Sequence, residues 1–330
     1  MSEVLVAMDL ASPPAGCKLP RGLENSLETF VSSDADALVS ARAYTRHLAQ
    51  SHYENFHVGT WLFPAEVREH AYAIYAYCRW ADDLADETGD PALSLELLKW
   101  WRELLHQTFE GRCGHPVFVA LADTITQFKL SREPFDRLLD AFEQDQRVFR
   151  YETFEQLVEY CHGSADPVGH LVLALLGYHD EERRALSDKT CTALQLANHW
   201  QDIENDLRRG RIYVPQEDLD RFEVNEEDLA MPSANAAVVE LIRFEVERAR
   251  DWFRQGLPLT KMVRGRARFD IDLFSRGGMA ILDAIEAQGY DVLRKRPKVG
   301  KFKKARLLSG ALLRGIAGGS SKVSANGATS

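Results

Sequence analysis

The stretch Arg79-Trp80-Ala81-Asp82-Asp83-Leu84-Ala85-Asp86-Glu87 combines apolar, helix-forming residues with a high density of carboxylates. Asp82 and Asp86 are four residues apart, so on a helix both point from one face. Like charges at that spacing destabilise an isolated helix by roughly 0.2–0.5 kcal/mol. The fold around this stretch must therefore supply either solvent or a cation for the two acids.

A second acidic run lies on another predicted helix. Asn198, Asp202 and Asp206 follow at intervals of four residues, so their oxygen-bearing side chains line one face. Oxygen ligands at helical spacing suit Mg²⁺, whose coordination is completed by water and by substrate phosphate oxygens. Two such helices facing each other would hold a metal-bound diphosphate between them. The alternative is that each run is a solvated helix face, as most charge runs are.

The neighbours of both acidic runs are apolar on several sides, for example Tyr75, Cys78 and Leu84 around the first run and Leu196, Trp200 and Ile203 around the second. Carboxylates within core-like helices are costly unless they are paired or bind a metal. The neighbours thus favour a metal site, although spacing alone leaves the solvated alternative open.

Composition bounds the class of protein. The chain has 330 residues, of which 45% are hydrophobic and 27% charged, enough to bury a sizeable core. We find no apolar run long enough to span a bilayer and no signal-peptide pattern, so a cytoplasmic location is expected. The five cysteines are scattered without a CxxC spacing, which predicts reduced thiols and no zinc site.

The pattern along the chain predicts one all-α domain. Residues 1–32 lack periodicity and are expected to form a flexible lead, residues 33–296 to form the helical domain, and residues 297–330 to form a basic, partly disordered tail. Helices are predicted at 181–209, about 235–255 and about 269–294. A kink or a close helix approach is predicted within 153–176, because Gly163, Pro167 and Gly169 interrupt an apolar run. No dinucleotide-binding fingerprint, Walker loop or repeat is present.

The two acidic runs extend into longer motifs, Tyr75-x-x-x-Arg79-x-x-Asp82-Asp83-x-x-Asp86 and Gln195-Leu-Ala-Asn198-x-x-x-Asp202-x-x-x-Asp206-Leu-Arg208-Arg209-Gly210-Arg211-Ile212-Tyr213-Val214-Pro215. Together they resemble the squalene/phytoene synthase family over residues from about 40 to about 306. The resemblance implies an isoprenoid-synthase helical bundle around a central apolar cavity. It also implies several Mg²⁺ ions that bind an isoprenoid diphosphate and help it leave, after which a carbocation rearranges.

The resemblance assigns roles to individual residues. It implies metal and diphosphate positions at Asp82, Asp86, Asn198, Asp202 and Asp206. Arg79 matches an arginine that pairs with diphosphate oxygens, for which a planar guanidinium is well suited. His52 and Phe56 match positions in an entrance loop. Arg211 either reaches phosphate or ties the helix end to an acid, and the aromatic ring of Tyr75 either faces the substrate or belongs to the core.

The chain departs from the common family pattern at one place. The family's usual run reads close to Y-C-Y-x-V-A-G-x-V-G, whereas this chain has His162 for the second tyrosine and Ala165-Asp166-Pro167 further on; Gly278 stands where relatives can have an aromatic residue. These features resemble the hydroxysqualene synthase subgroup of bacterial hopanoid pathways. That likeness implies presqualene diphosphate as substrate, capture of the cation by water, and no need for NADPH.

His162 has two interpretations. A neutral imidazole can position the attacking water or relay its proton, which would make His162 catalytic. Alternatively, His162 is a packed histidine in a kinked helix.

The C-terminal segment is strongly basic. Residues 294–306 hold eight Lys or Arg among apolar residues, and no acidic residue follows Asp291. Such a segment is typical of a helix on a membrane surface, so peripheral contact with the inner face of the cell membrane is one expectation. The other is a solvated cationic end that covers the acidic body. Because the rest of the chain is acidic, nucleic acid is not an expected partner.

Three functions compete. The leading one converts presqualene diphosphate, supplied by a sister synthase, to hydroxysqualene. The second is a squalene or presqualene diphosphate synthase that condenses two farnesyl diphosphates. The third, of another class, is a non-catalytic membrane-associated assembly factor with the same fold, which would be expected to lose the acidic positions that this chain keeps.

Overall fold

The computed structural model describes residues 5–6, 12–20, 23, 37–51, 63 and 65–300. Their regular secondary structure is almost entirely helical, which confirms the predicted all-α class. In chain order the helices are α1 (Ala37–Ser51), α2 (Ala65–Asp86), α3 (Pro91–Phe109), α4 (Pro116–Phe128), α5 (Glu133–Gln144), α6 (Phe154–Ser164), α7 (Asp166–Leu175), α8 (Glu181–Arg208), α9 (Gln216–Arg221), α10 (Glu226–Leu229), α11 (Ala236–Gly256), α12 (Leu259–Met262) and α13 (Gly265–Ala287).

The sharp turn between α2 and α3 follows from local sequence signals. Gly89 adopts a positive φ of 70°, which residues with a side chain rarely reach. Asp90 then caps α3, because its Oδ1 accepts a hydrogen bond from the backbone N–H of Ala92 at 2.9 Å. Pro91 occupies the first turn, where its missing N–H has no cost. The turn fixes where α2, and with it the first acidic run, ends.

The predicted interruption within residues 153–176 is confirmed. The helix breaks at Ala165 (φ −122°, ψ −48°), which separates α6 from α7. Gly169 of α7 also lies against α8: a Cβ placed there would be 2.3 Å from Ser187 Oγ and 2.6 Å from Cys191 Sγ. The run therefore contains both a break and a close helix approach.

Helix α8 lies at the centre of one half of the bundle. It has 28 residues and packs against α6, α7, α11 and α13. Its Leu196, Ala197 and Trp200 are fully buried in the core of that half. The other half packs α1 to α5 around Trp80 and Trp101, whose rings stack with centroids 5.0 Å apart.

The described parts of the N-terminal lead contact the bundle. Strand β1 (Leu5–Val6) pairs in parallel with β2 (Arg112–Cys113). Leu19 and Leu23 are buried in the α1–α5 core, where they contribute hydrophobic stabilisation.

The chain beyond α13 returns to the bundle. Helix α13 ends at Ala287, earlier than predicted, because Gly289 (φ 67°) and Tyr290 (φ 62°) turn the backbone. Residues 288–300 then bring Arg296 against α8. Most of the basic tail, residues 301–330, lies outside the described residues. In the part of the chain that is described, no helix combines the length and apolar character needed to cross a membrane.

Candidate active site

The carboxylates at the end of α2 divide between a cavity and the protein interior. Asp82 and Asp86 both line the cavity. Asp83 is buried and pairs with Arg79, whose Nε donates to Asp83 Oδ2 at 3.1 Å. Arg79 also donates to Asp82 Oδ2 at 3.1 Å. In this structure Arg79 thus orients the acidic end of α2, and it is not among the residues that line the cavity.

The second acidic run lines the same cavity from α8. Asn198, Asp202 and Asp206 all contribute to its wall, so the structure brings together the five positions expected to hold metal and diphosphate. Asp202 is already engaged: Arg296 Nη2 donates to its Oδ2 at 2.7 Å, and Asn205 Nδ2 donates to its Oδ1 at 2.9 Å. A metal ion at Asp202 would therefore compete with the guanidinium of Arg296.

The loop after α8 connects the two acidic helices. Gly210 turns the chain with a φ of 76°, and the arginines on either side of it both reach Asp86. Arg209 Nη1 donates to Asp86 Oδ2 at 2.8 Å, and Arg211 Nη2 donates to Asp86 Oδ1 at 3.1 Å. Arg211 thus ties the helix end to an acid, one of its two predicted roles, and it also lines the cavity.

The cavity is lined by five aspartates and four arginines. It encloses about 660 Å³. Burial, reinforced by Asp86 and Asp83 and opposed by Arg79, raises the pKa of Asp82 to about 6. Burial together with the charge of Asp202 raises the pKa of Asp206 to about 7. A nearby positive charge stabilises the charged form of neighbouring carboxylates in a partly desolvated space.

The donor set fits Mg²⁺ better than a softer metal. All five expected ligands present oxygen, which is the donor that Mg²⁺ prefers. Within the described ranges, no three His, Cys, Asp or Glu side chains are placed to hold a metal ion by themselves.

A polar and aromatic wall of the cavity was not predicted from the sequence. Asp145 follows α5, and Tyr160 of α6 donates from its hydroxyl to Asp145 Oδ2 at 2.9 Å. Burial raises the pKa of Asp145 to about 7, against the opposing effects of Arg211 and Tyr160. The ring of His199 stacks on Tyr213 with centroids 3.8 Å apart, and burial lowers the pKa of His199 to about 3, so its imidazole is neutral.

His162 lies beside this wall and does not contribute to it. Its Nδ1 is 2.5 Å from Asp166 Oδ2, and Asp166 also accepts a hydrogen bond from Thr192 Oγ1 at 3.0 Å. Arg137 donates to the His162 carbonyl, near the end of α6. The residues of α6 that line the cavity are Tyr160 and Ser164, four residues apart on one face. A catalytic role for His162 stays a prediction.

The remaining predicted substrate contacts are less defined. Tyr75 is half-buried on α2, one turn before Arg79, and is not part of the cavity wall. His52 and Phe56 lie outside the described residues, so their predicted positions at the entrance stay predictions.

Sequence comparison places this architecture among known proteins. A family model described as squalene/phytoene synthase matches residues 49–303. A 15-cis-phytoene synthase from Synechococcus elongatus is 32% identical over 84% of this chain and 94% of its own length. A phytoene synthase from Arthrospira platensis is 34% identical over 82% of this chain and 91% of its own length.

Solved structures give the same picture. A squalene synthase, HpnC, from Alicyclobacillus acidocaldarius is 43% identical, with a TM-score of 0.73, and the match covers 81% of this chain and 99% of that chain. A dehydrosqualene synthase in complex with a ligand is 25% identical, with a TM-score of 0.78, covering 85% of this chain and 98% of that chain.

Proposed function

The chain belongs to the squalene/phytoene synthase family, and we propose that it is a hydroxysqualene synthase that ionises presqualene diphosphate with Mg²⁺ and lets water capture the rearranged cation. The observation that carries the ionisation step is the convergence of Asp82, Asp86, Asn198, Asp202 and Asp206 on one cavity. The sequence around His162 supports the choice of subgroup.

The cavity residues divide the work of binding and ionisation. When bound, Mg²⁺ supplies positive charge that stabilises the departing diphosphate. Asp82 and Asp86 would hold metal from α2, and Asn198, Asp202 and Asp206 from α8. Arg211, only 13% exposed, contributes a permanent positive charge beside Asp86. Leu138, Ala141 and Phe142 provide an apolar wall that limits access of water to the cation.

A second candidate function is the condensation of two prenyl diphosphates. It is favoured by the names of the relatives: HpnC of A. acidocaldarius is called a squalene synthase, and the sequence relatives are called phytoene synthases. Condensation would use the same acidic cavity for ionisation. The two functions differ in substrate and in whether the product contains a hydroxyl group.

Incubating the pure full-length chain with Mg²⁺ and one prenyl diphosphate at a time separates the candidates. We expect hydroxysqualene from presqualene diphosphate, and no product from farnesyl or geranylgeranyl diphosphate, when lipid extracts are analysed by mass spectrometry. An Asp82→Ala/Asp86→Ala double variant and a chelator control should both abolish product. Squalene, presqualene diphosphate or phytoene formed from the smaller diphosphates would establish condensation instead.

The predicted partners belong to the same proposal. A sister synthase would supply presqualene diphosphate, and the basic segment that begins near Arg294 would hold the enzyme on the inner face of the cell membrane, where long hydrocarbon products accumulate. Sedimentation with anionic vesicles, compared between the full chain and a chain ending at residue 300, tests the membrane contact. Equal binding of the two chains would contradict it.

The two interpretations of His162 can be separated within this proposal. If it positions water or relays a proton, His162→Ala lowers the yield of alcohol. Normal product and turnover in His162→Ala would remove that role.

A further inference from the structure

Three buried polar atoms on the cavity wall have no hydrogen-bond partner among the described residues. They are Asp145 Oδ1, Ser164 Oγ and His199 Nε2. Asp145 and His199 are only 7% and 5% exposed. A buried polar atom without a partner costs about 1–3 kcal/mol, and folded proteins commonly satisfy such atoms with an ordered water.

The three atoms belong to residues from separate parts of the chain that line one cavity. Asp145 ends α5, where its other oxygen, Oδ2, is already bound by the Tyr160 hydroxyl. Ser164 lies one turn after Tyr160 on the same face of α6. His199 belongs to α8, and its ring centroid is 6.2 Å from that of Tyr160. Tyr160 is thus the common neighbour around which the three atoms are arranged.

The three residues together offer the polar partners that a single bound water requires. A buried water typically makes about three hydrogen bonds, and this wall offers a carboxylate acceptor, a hydroxyl and an imidazole nitrogen. Apolar side chains of α5, Leu138, Ala141 and Phe142, line the same cavity. Water elsewhere along those side chains has no comparable set of partners.

We propose that Asp145, Ser164 and His199 hold the water molecule that captures the carbocation, and so decide that the product is an alcohol. This inference rests on the proposed function and extends it to the source of the hydroxyl group. Asp145 is the catalytic residue of the set because it takes up the proton that the water loses. Ser164 and His199 are positioning residues.

The chemistry balances without a redox partner. The bond between the prenyl carbon and the diphosphate oxygen breaks, and both electrons leave with the diphosphate. After the cation rearranges, a lone pair of the water oxygen forms the new carbon–oxygen bond. One proton of the resulting oxonium passes to Asp145 Oδ1 and then to solvent or diphosphate, and the alcohol keeps the other. If no water is held, the cation loses a proton from carbon and a hydrocarbon forms.

The test measures ionisation and water capture separately. Purified full-length enzyme is given Mg²⁺ and presqualene diphosphate in ¹⁸O-labelled water, and both diphosphate release and the ratio of alcohol to hydrocarbon are measured. We expect the wild type to give alcohol carrying one ¹⁸O. Ser164→Val fills the water position with a methyl group and should lower the alcohol fraction roughly tenfold, since one lost hydrogen bond is worth about that factor. Diphosphate release should fall much less.

Two further variants keep the result interpretable. Asp145→Asn retains the shape of the side chain but cannot take the proton, so its alcohol fraction should also fall. If this variant does not fold, Ser164→Val still tests the water site. Ser187→Ala removes the same hydroxyl atom from a buried serine of α8 that is not part of the cavity wall, and it should leave the product ratio unchanged. Circular dichroism melts check that each variant is folded.

The outcomes distinguish the two levels of the proposal. A wild-type enzyme that makes no alcohol from presqualene diphosphate contradicts the proposed function and the water site with it. A wild-type enzyme that makes alcohol, with the same ratio in Ser164→Val and Asp145→Asn, contradicts the water site alone. If His162→Ala lost the alcohol and Ser164→Val retained it, the water would lie at His162, and the proposed site at Asp145, Ser164 and His199 would be wrong.

Discussion

Helix α2 contributes to two regions of opposite character, an apolar core and a cavity lined by charged residues. Trp80 faces the tryptophan-rich core of α1 to α5, where it is fully buried and stacked on Trp101. Asp82, two residues later, lines the acidic cavity. The core contributes hydrophobic stabilisation, whereas the cavity gathers carboxylates that repel one another. On α2, residues on one face therefore contribute to the core, and residues on another face line the cavity, although they are close together in the sequence.

The response to burial shows the same difference. In the core, His115 packs edge-on against Trp80 with ring centroids 4.5 Å apart, and burial lowers its pKa to about 3, so it stays neutral. In the cavity, burial raises the pKa of Asp82 and Asp206 to about 6 and about 7. A neutral imidazole carries no charge, so it needs no partner of opposite charge in an apolar core. The carboxylates of the cavity depend on nearby positive charge to stabilise their charged form.

The largest effect is expected from Asp206→Ala. Losing one of the groups that stabilise the departing diphosphate should lower kcat/KM on the order of 10³-fold. The free energy of unfolding should not fall by more than about 0.5 kcal/mol, because the substitution removes a charge that its neighbours disfavour. Steady-state kinetics and urea unfolding measure the two quantities on the same preparation.

Trp101→Ala is the matched change in the core. The ring is fully buried, so its loss should lower the free energy of unfolding by about 3–5 kcal/mol while the kcat/KM of the folded fraction changes far less. If Asp206→Ala were as destabilising as Trp101→Ala, the cavity would be part of the structural core and the contrast would be wrong.

The next effect concerns the two arginines that bind Asp86. Arg211 is 13% exposed and also donates to the Asp145 carbonyl, whereas Arg209 is 56% exposed. Arg211→Gln should lower the free energy of unfolding by about 2–3 kcal/mol, because it leaves buried acceptors without a partner. Arg209→Gln should change it by less than about 0.5 kcal/mol. Thermal or urea unfolding of both variants gives the comparison, and equal losses would show that burial does not set the strength of these pairs.

Local sequence patterns were sufficient to predict the core helices and to place the acidic side chains of each run on one helix face. The caps and breakers at Gly89, Asp90 and Pro91 act on their own neighbours, and the spacing from Asp202 to Asp206 fixes a shared helix face before any tertiary contact forms. The convergence of α2 and α8 on one cavity required the resemblance to a family, because residues more than 100 positions apart meet only in the folded chain.

The polar wall could not be predicted in this way. Asp145 accepts hydrogen bonds from Tyr160, 15 residues later, and from Arg211, 66 residues later. The residues near Asp145 in the sequence give no signal that predicts either contact. Departure from the family pattern drew attention to His162, yet on the same helix the side chains that reach the cavity are Tyr160 and Ser164. The spacing of those two residues was the one local signal, and it is common in any amphipathic helix.

The smallest of the predicted effects is a pH dependence in the core. The pKa of His115 is about 3 in the folded chain and close to 6.5 when unfolded, so only the unfolded state binds a proton between these values. The contribution of a neutral His115 is complete above pH 6.5 and is lost as the pH falls towards 3. At pH 5 the loss amounts to about 2 kcal/mol. Asp82, Asp145 and Asp206 act in the opposite direction, because the folded state binds their protons more readily.

Subtraction of a variant isolates the His115 contribution from these opposing groups. His115→Asn keeps a side-chain acceptor for the N–H of Val117, which His115 Nδ1 now caps, but it cannot titrate. The variant should be less stable than the wild type at pH 7, and the difference should shrink by about 2 kcal/mol at pH 5. His179→Asn replaces an exposed histidine and should leave the pH profile unchanged. If the difference in the free energy of unfolding between the wild type and His115→Asn stayed constant from pH 7 to pH 5, water would reach His115. The contrast between an apolar core and a charged cavity would then be wrong at this position.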